Sequence, residues 1–340
     1  MGRELKVAVV IPTFNRRDLV TQAVRSVLGQ TYTDLTCLVI DNGSTDGTGE
    51  ALAAIGDPRL KVLVEDRPMG GPGARNLGIT AAEGSAWVAF LDSDDVWAPT
   101  KLERQMAAIA RYPEARWSAT ACVSVGEDLR VRHAVRMRDV PAGSGESAIV
   151  SSAEVRALLL EDNRVPAGNS TVLAARAVLQ EVGGFDATLA TCDDWDLWLR
   201  IAALSPVAYI DAPLAAYRLW DGQSSSNERA FMRDAATVRA RNFVDAGPVP
   251  RSFFARWERE AARRHVAARR RLPAARSYIR AAWVGAAPGQ LAYAAAAVAL
   301  PGVAERRLRR LEAAQRLPEG WERETEPWLA PYRTAKNVNA

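Results

Sequence analysis

Residues 89–95 read AFLDSDD, an apolar run that ends in three carboxylates within four positions. Like charges packed that closely repel and raise one another's proton affinity, so they persist where a cation holds them or where a turn leaves them solvated. Outward from this stretch the same pattern recurs. Residues 7–11 (VAVVI), 35–41 (LTCLVID), 59–65 (RLKVLVE) and 87–92 (WVAFLD) each predict a strand closed by a polar turn. Between the first two, Leu19, Val20, Ala23, Val24, Val27 and Leu28 recur at helical spacing, with Asp18 placed as an N-cap, and residues 48–55 predict a second helix. Strands alternating with helices imply a mostly parallel central sheet covered on both faces. The polar loops PTFN (12–15), DNGSTD (41–46) and DSDD (92–95) all fall at the carboxyl ends of those strands, where such sheets bind ligands.

Further on, residues 143–152 loosen into Gly and Ser, AEVRALLLED (153–162) predicts a helix and NSTVLAAR (169–176) a strand. CDDWDLWLRIAAL (192–204) predicts a helix with Trp195, Trp198, Leu199 and Ala202 on one side and carboxylates at its start, where the helix dipole favours negative charge. From about Arg229 the chain becomes rich in Ala and Arg, broken by Pro248, Pro273, Pro288 and Pro301. The expected organisation is an α/β domain over 1–226, a helical C-terminal module over 227–320 and a tail over 321–340.

Composition bounds the chemistry. At 340 residues, 48% hydrophobic and 25% charged, the chain is that of a folded globular protein, and a formal charge of +4 with no basic stripe across the α/β part assigns no nucleic-acid partner. Cys37, Cys122 and Cys192 are odd in number and far apart, which predicts free thiols and a cytoplasmic setting. The opening MGRELKVAVV has no signal-peptide pattern, and no apolar run reaches membrane-spanning length. With His133 and His265 the two histidines, a His-rich metal site or a Ser-His-Asp triad is hard to assemble, so carboxylates must carry acid–base work.

The segment MGGPGARNLGI (69–79) places Gly71 and Gly73 at the first two positions of a dinucleotide fingerprint, but Asn76 stands at the third and the strand-end acid precedes it, which argues against a dehydrogenase. Arg75, near the start of the helix this segment opens, can instead point a fixed cation at an anion. Aspartates one residue apart can share a hard divalent cation and leave coordination positions for phosphate oxygens. That combination suits a diphosphate, and the second acid cluster, Asp193 and Asp194, is available as a base.

Taken together, VVIPTFNR (9–16), VLGQTY (27–32), VIDNGSTDGT (39–48), GGPGARNLGI (70–79), AFLDSDDVW (89–97), GGFD (183–186) and DDWDLWLRIA (193–202) make the chain resemble the inverting family 2 glycosyltransferases of GT-A fold, from about Leu5 to Ser226. The resemblance implies a GT-A nucleotide-diphosphate-sugar transferase fold followed by the helical module. It implies that Pro12, Thr13, Asp41, Arg75 and Asp92 contact the nucleotide, with Asp41 accepting from a pyrimidine N3–H. It further implies that Asp94 and Asp92 hold a divalent metal, Mn²⁺ or Mg²⁺, and that Asp194 is the catalytic base, Asp193 replacing the Glu usual before it. Relatives carry a histidine after the Y-R pair where this chain has Trp220, so Asp193, Trp195, Arg218, Trp220 and the Gln223–Ser226 loop become candidate diphosphate or acceptor contacts. The donor expected is UDP- or dTDP-linked; the acceptor is a polysaccharide, lipid-linked sugar, peptide or secondary metabolite. The alternatives are a nucleotidyltransferase and a non-catalytic nucleotide-sugar-binding protein. Ten arginines against Glu258 and Glu260 between Arg251 and Arg280 give the helical module two readings, peripheral contact with the inner face of the membrane or a homodimer surface.

Overall fold

A computed structural model describes residues 6–67, 69–137, 140, 145–220, 228–242, 251–267, 269–285, 288–306 and 317–333. The chain forms two compact units, Met1–Ser224 with Leu317–Ala340, and Ser225–Arg316.

The first unit is built on one ten-stranded sheet. β1 (Val7–Thr13), β2 (Leu35–Asp41), β3 (Leu60–Val64) and β4 (Trp87–Phe90) pair in parallel in the order β3-β2-β1-β4. β1 and β2 are almost entirely buried, which is why they read as unbroken apolar runs. α1 (Arg17–Leu28) lays Val20, Ala23, Val24 and Val27 on the sheet. Asp18 is not its cap: Arg16 holds that position without a side-chain hydrogen bond, and Asp18 lies in the first turn, accepting from Arg17. α2 spans Thr48–Ala53 and α3 spans Gly70–Ala81. α3 approaches β1 so closely that a Cβ at Gly78 would stand 2.3 Å from Val10 Cγ1.

Beyond β4 the sheet becomes mixed. After β5 (Val96–Trp97) and α4 (Lys101–Arg111) come β6 (Trp117–Val125), β7 (Val131–Val135), β8 (Ser147–Val150), α5 (Ser152–Glu161), β9 (Leu173–Ala175), α6 (Arg176–Glu181), α7 (Asp193–Ala202) and β10 (Val207–Arg218). β9 runs antiparallel between β4 and β6, while β10 runs parallel to β6 and antiparallel to β5 and β8. The sheet continues β4-β9-β6-β10-β5, so the parallel character predicted from the first four strands does not extend across the second half. Within the Gly/Ser stretch after residue 143, β8 joins the sheet. α5 starts on a full capping box between Ser151 and Glu154.

The stretch expected as a tail returns to the first unit. There α12 (Trp321–Leu329) buries Trp321, Trp328 and Leu329, Arg136 lies 5.9 Å from the Trp321 ring, and Arg333 donates to Leu129 O. The second unit contains α8 (Glu228–Asn242), α9 (Arg251–Ala267), α10 (Arg271–Gly285) and α11 (Gly289–Ala299). Val266, Ala274 and Ala297 form its small core with Tyr278 and Ala304.

The β1–α3 contact is the tightest link between the sheet and the helix that carries Arg75. Gly78→Ala is expected to lower stability by about 1–3 kcal/mol through overpacking, despite the ~0.5–1 kcal/mol that alanine gains over glycine in a helix. In a double-mutant cycle read by denaturant unfolding, Val10→Ala recovers part of that loss.

Candidate active site

The register of β1 on β2 sets Thr13 beside Asp41, and that of β1 on β4 brings Asp92 to the same edge. Asn15, in the left-handed region at φ 50°, ties the first two loops together: its N–H donates to Ser44 Oγ and its Oδ1 accepts from Thr45 N–H. Asp41 is buried and its Oδ1 accepts from Ser44 N–H, fixing the DNGSTD turn. Thr13 Oγ1 and Asn42 Oδ1 are buried without a hydrogen-bond partner, two polar atoms with unmet demand where Pro12, Thr13 and Asp41 converge.

The three carboxylates of DSDD go to three environments. Asp95 points inward: it accepts from Ser170 Oγ at 2.6 Å and from Arg218 N–H at 2.9 Å, and burial, with the charges of Asp94 and Asp92, pushes its carboxyl well above the ordinary carboxylate range. Ser170 also accepts from Asp92 N–H, so one hydroxyl links both ends of the loop. Asp94 Oδ2 accepts from Arg16 Nη1 at 3.2 Å and from the Trp220 indole N–H at 2.7 Å. Asp92 Oδ1 accepts from Arg75 Nη2 at 2.7 Å.

Arg75 is the centre of the arrangement. Nη1 of the same guanidinium donates to Asp193 Oδ2 at 2.9 Å, and the group lies 5.5 Å from the Phe185 ring centroid. Burial opposes its charge, but Asp92 and Asp193 outweigh burial and hold it protonated. Its neighbour Asn76 exchanges hydrogen bonds with the main chain of Phe185, clamping the GGFD turn beneath.

Among the described residues no cation pairs with Asp194. Its Oδ2 accepts from Asn163 Nδ2 at 2.9 Å and its Oδ1 from Trp195 N–H at 2.7 Å. Burial, reinforced by the charge of Asp193, raises its carboxyl to about 7. A base in that range takes a proton readily at neutral pH. Gly168, at φ 53°, lies against it: a Cβ there would stand 2.3 Å from Asp194 Oδ2. Asn163, Gly168 and Ser170 were not legible as site residues, since their partners are far away in sequence; Arg16 adjoins the PTFN motif, and that was the available signal.

One sequence expectation changes and one open reading closes. The Arg218 guanidinium is buried, donating to Asp94 O, Glu127 O and Gln22 Oε1, so it braces the DSDD main chain instead of facing a diphosphate. Trp195, which the sequence leaves open between core and acceptor contact, is 1% exposed with its indole N–H on Leu159 O, the setting of a core residue. The Gln223–Ser226 loop lies outside the described residues. For a divalent metal, Asp92 and Asp94 offer hard oxygens at the edge of the sheet, a fit to Mg²⁺ or Mn²⁺ held by one or two carboxylates with substrate oxygens completing the shell. Among the described residues no third carboxylate, His or Cys joins them, and Trp220 supplies an N–H donor in place of a ligand.

Because the folded-state value of Asp194 lies above the ordinary 3.8, its ionised form is disfavoured in the fold. Its contribution to stability is complete below the ordinary value and is lost as pH rises through about 7. In thermal melts Asp194→Asn is expected to gain stability relative to wild type as pH rises from 4 to above 8, measured as the change in the difference between the two. The gain is about 1–2 kcal/mol, from ~1.4 kcal/mol per pKa unit discounted for partial exposure.

Residues 8–141 match the family model described as Glycosyl transferase family 2. The chain is 36% identical over 105 residues to the Escherichia coli UDP-Glc:alpha-D-GlcNAc-diphosphoundecaprenol beta-1,3-glucosyltransferase WfgD, covering 31% of this chain and 41% of that protein. It is 41% identical over 100 residues to the succinoglycan biosynthesis protein ExoO of Rhizobium meliloti, covering 29% and 28%. The matches thus span less than half the length of these curated relatives. Among solved structures, S. aureus TarS 1-349 in complex with UDP-GlcNAc superposes with a TM-score of 0.53 at 18% identity, over 96% of this chain and 92% of that one, a likeness of fold. Residues 8–141 are thus similar to glycosyl transferase family 2, and the fold of the chain is of GT-A type.

Proposed function

We propose that the chain transfers a sugar from a nucleoside-diphosphate donor, UDP in preference to dTDP, to an acceptor hydroxyl with inversion at the anomeric carbon. The observation that carries the reading is Asp194: a carboxyl raised to about 7, bonded to Asn163 and next to the Arg75–Asp193 pair that leads to Asp92. WfgD is named for a UDP-Glc donor and TarS was solved with UDP-GlcNAc, and both support the uridine choice.

In this reading Pro12, Thr13 and Asp41 take the nucleoside, Asp41 accepting from the pyrimidine N3–H, and Arg75 steadies Asp92 beside the phosphates. Asp92 and Asp94 would hold the divalent ion, Mn²⁺ or Mg²⁺, whose charge offsets that of the departing diphosphate. Asp194 removes the acceptor hydroxyl proton as its oxygen bonds to the anomeric carbon; the opposite C–O bond breaks and its electron pair leaves on the diphosphate. Asn163 and the Trp195 N–H orient the base, and Asp193 braces Arg75.

Asp194→Asn is expected to bind UDP within about twofold of wild type and to slow turnover by ~10²-fold or more. Wild-type kcat/KM should fall on the acid side of about 7, the value to which burial raises the Asp194 carboxyl. Near-normal turnover in Asp194→Asn, or an NMR-assigned product that retains the donor's configuration, defeats the assignment. Pyrophosphate release revives a nucleotidyltransferase, and UDP binding without turnover a binding protein.

We also propose that the helical unit rests on an anionic membrane surface, with a lipid-linked sugar as acceptor class; WfgD is named for a diphosphoundecaprenol substrate. Residues 261–304 contain seven arginines and no aspartate or glutamate. Along α10, Leu272, Ile279 and Trp283 are 63%, 41% and 81% exposed at spacings of seven and four, with exposed Arg276 among them, a basic amphipathic face suited to a lipid interface. The full chain is expected to co-sediment with phosphatidylglycerol vesicles at low salt and release at high salt, with Trp283→Ser weakening binding severalfold. Absence of low-salt binding, or a concentration-dependent dimer that Trp283→Ser dissociates, overturns this reading.

A further inference from the structure

Arg16 is a cation that the reaction scheme above does not use. It ends the PTFN loop, immediately before α1, and its Nη1 lies 3.2 Å from both Asp94 Oδ2 and Ser93 Oγ. Trp220 holds both members of this pair: its indole N–H donates to the same Asp94 Oδ2 at 2.7 Å, and its ring lies 5.1 Å from the Arg16 guanidinium carbon. The Arg16 side chain keeps 23% of its surface exposed, whereas that of Asp94 keeps 9%. The guanidinium therefore covers the carboxylate from the solvent side.

A planar guanidinium in this position has two consequences. A divalent ion approaching Asp94 meets a like charge and a carboxylate oxygen already accepting from two donors, so its affinity falls. Phosphate oxygens approaching the same edge meet a fixed, aromatic-backed cation of the geometry that binds them well, so part of their affinity needs no metal. We propose that Arg16, stacked on Trp220, takes over part of the divalent ion's charge at Asp94, giving this chain weak metal affinity and a metal-independent component of diphosphate binding. The proposal rests on the donor-site reading given above. It also gives Trp220 a role: an indole cannot ligate a metal, but it can present an arginine.

The experiment uses the full chain in two separate titrations, Mn²⁺ without nucleotide, followed by EPR of free Mn²⁺, and UDP in excess EDTA, followed by calorimetry, with calorimetry of UDP in saturating Mn²⁺ as the wild-type reference. Arg16→Gln is expected to tighten Mn²⁺ about fivefold or more and to weaken UDP in EDTA about tenfold, two shifts of opposite sign that no general loss of structure produces. Trp220→Phe removes the N–H and keeps the ring, so Mn²⁺ binding tightens about two- to threefold while UDP in EDTA changes less than twofold. Arg17→Gln, one residue on and half-exposed, leaves both titrations within twofold. A wild type that binds UDP only when Mn²⁺ is present overturns this proposal alone, as do Arg16→Gln shifts that share a sign or vanish. A wild type that binds UDP under neither condition overturns the donor-site reading together with it.

Discussion

The buried guanidinium of Arg75 is the constraint on which the site depends. It joins Asp92, 17 residues away on the sheet edge, to Asp193, 118 residues away at the start of α7. A buried charge that loses a partner is strongly destabilising, typically by about 3–5 kcal/mol, so the bridge locks the end of β4 to the helix that presents Asp194. Its floor is aromatic: Phe185 packs edge-on against Phe90 at 5.2 Å, and Trp198 stacks on Trp117 at 5.9 Å. Asn76 anchors the turn bearing Phe185 from the same helix as Arg75. A small displacement of α3 would therefore move cation, floor and both acid clusters together, and Gly78 lets the helix lie directly against Val10 of β1.

The two acid clusters hold five carboxylates, Asp92, Asp94, Asp95, Asp193 and Asp194, and their surroundings divide the work among them. Asp95 is spent on Ser170 and the Arg218 main chain, Asp92 and Asp193 on Arg75, and Asp94 on Arg16 and Trp220. Asp194, with the neutral amide of Asn163 in place of a cation, keeps a proton affinity near neutrality. Environments that push neighbouring carboxyls apart in this way are how one site separates binding from proton transfer. The crowding of acids in DSDD thus has a structural component beyond any cation: its last member ties the loop to Ser170 and to the end of β10.

β10 illustrates how one long strand serves several neighbours in the sheet. Its pairing with β6 shifts register around Pro213, which lets a twelve-residue strand reach β8 with one end and β5 with the other. It delivers Arg218 under the DSDD loop and leaves Trp220 just beyond, so the departure at residue 220 and the brace at residue 218 follow from one strand.

The alternation of apolar runs and helical spacing in the first hundred residues was sufficient to predict β1 to β4, α1, α2 and the collection of PTFN, DNGSTD and DSDD at one edge, because β1, β2 and β4, buried on both faces, leave unbroken apolar runs and the edge strand β3 still reads as a short apolar run between turns. The acids at the start of α7 were visible for the same local reason, whereas Arg75, expected near a helix start, is the sixth of the twelve residues of α3 because that helix already begins at Gly70. What the chain order could not show was pairing between distant residues. The antiparallel β9, the entry of β8 and β10 into the sheet and the return of α12 depend on contacts across long separations, with no periodic signal of their own. Among the side chains, Arg218 read as a ligand contact until its burial under the DSDD loop showed a brace, Trp195 could be placed in the core only from its burial, and Arg16, Asn163 and Ser170 gained their partners through tertiary packing alone. Local periodicity and motif spacing determined the sheet edge and its chemistry; only the three-dimensional fold decided which carboxylate meets which cation, because charge pairing depends on distance in space and not along the chain.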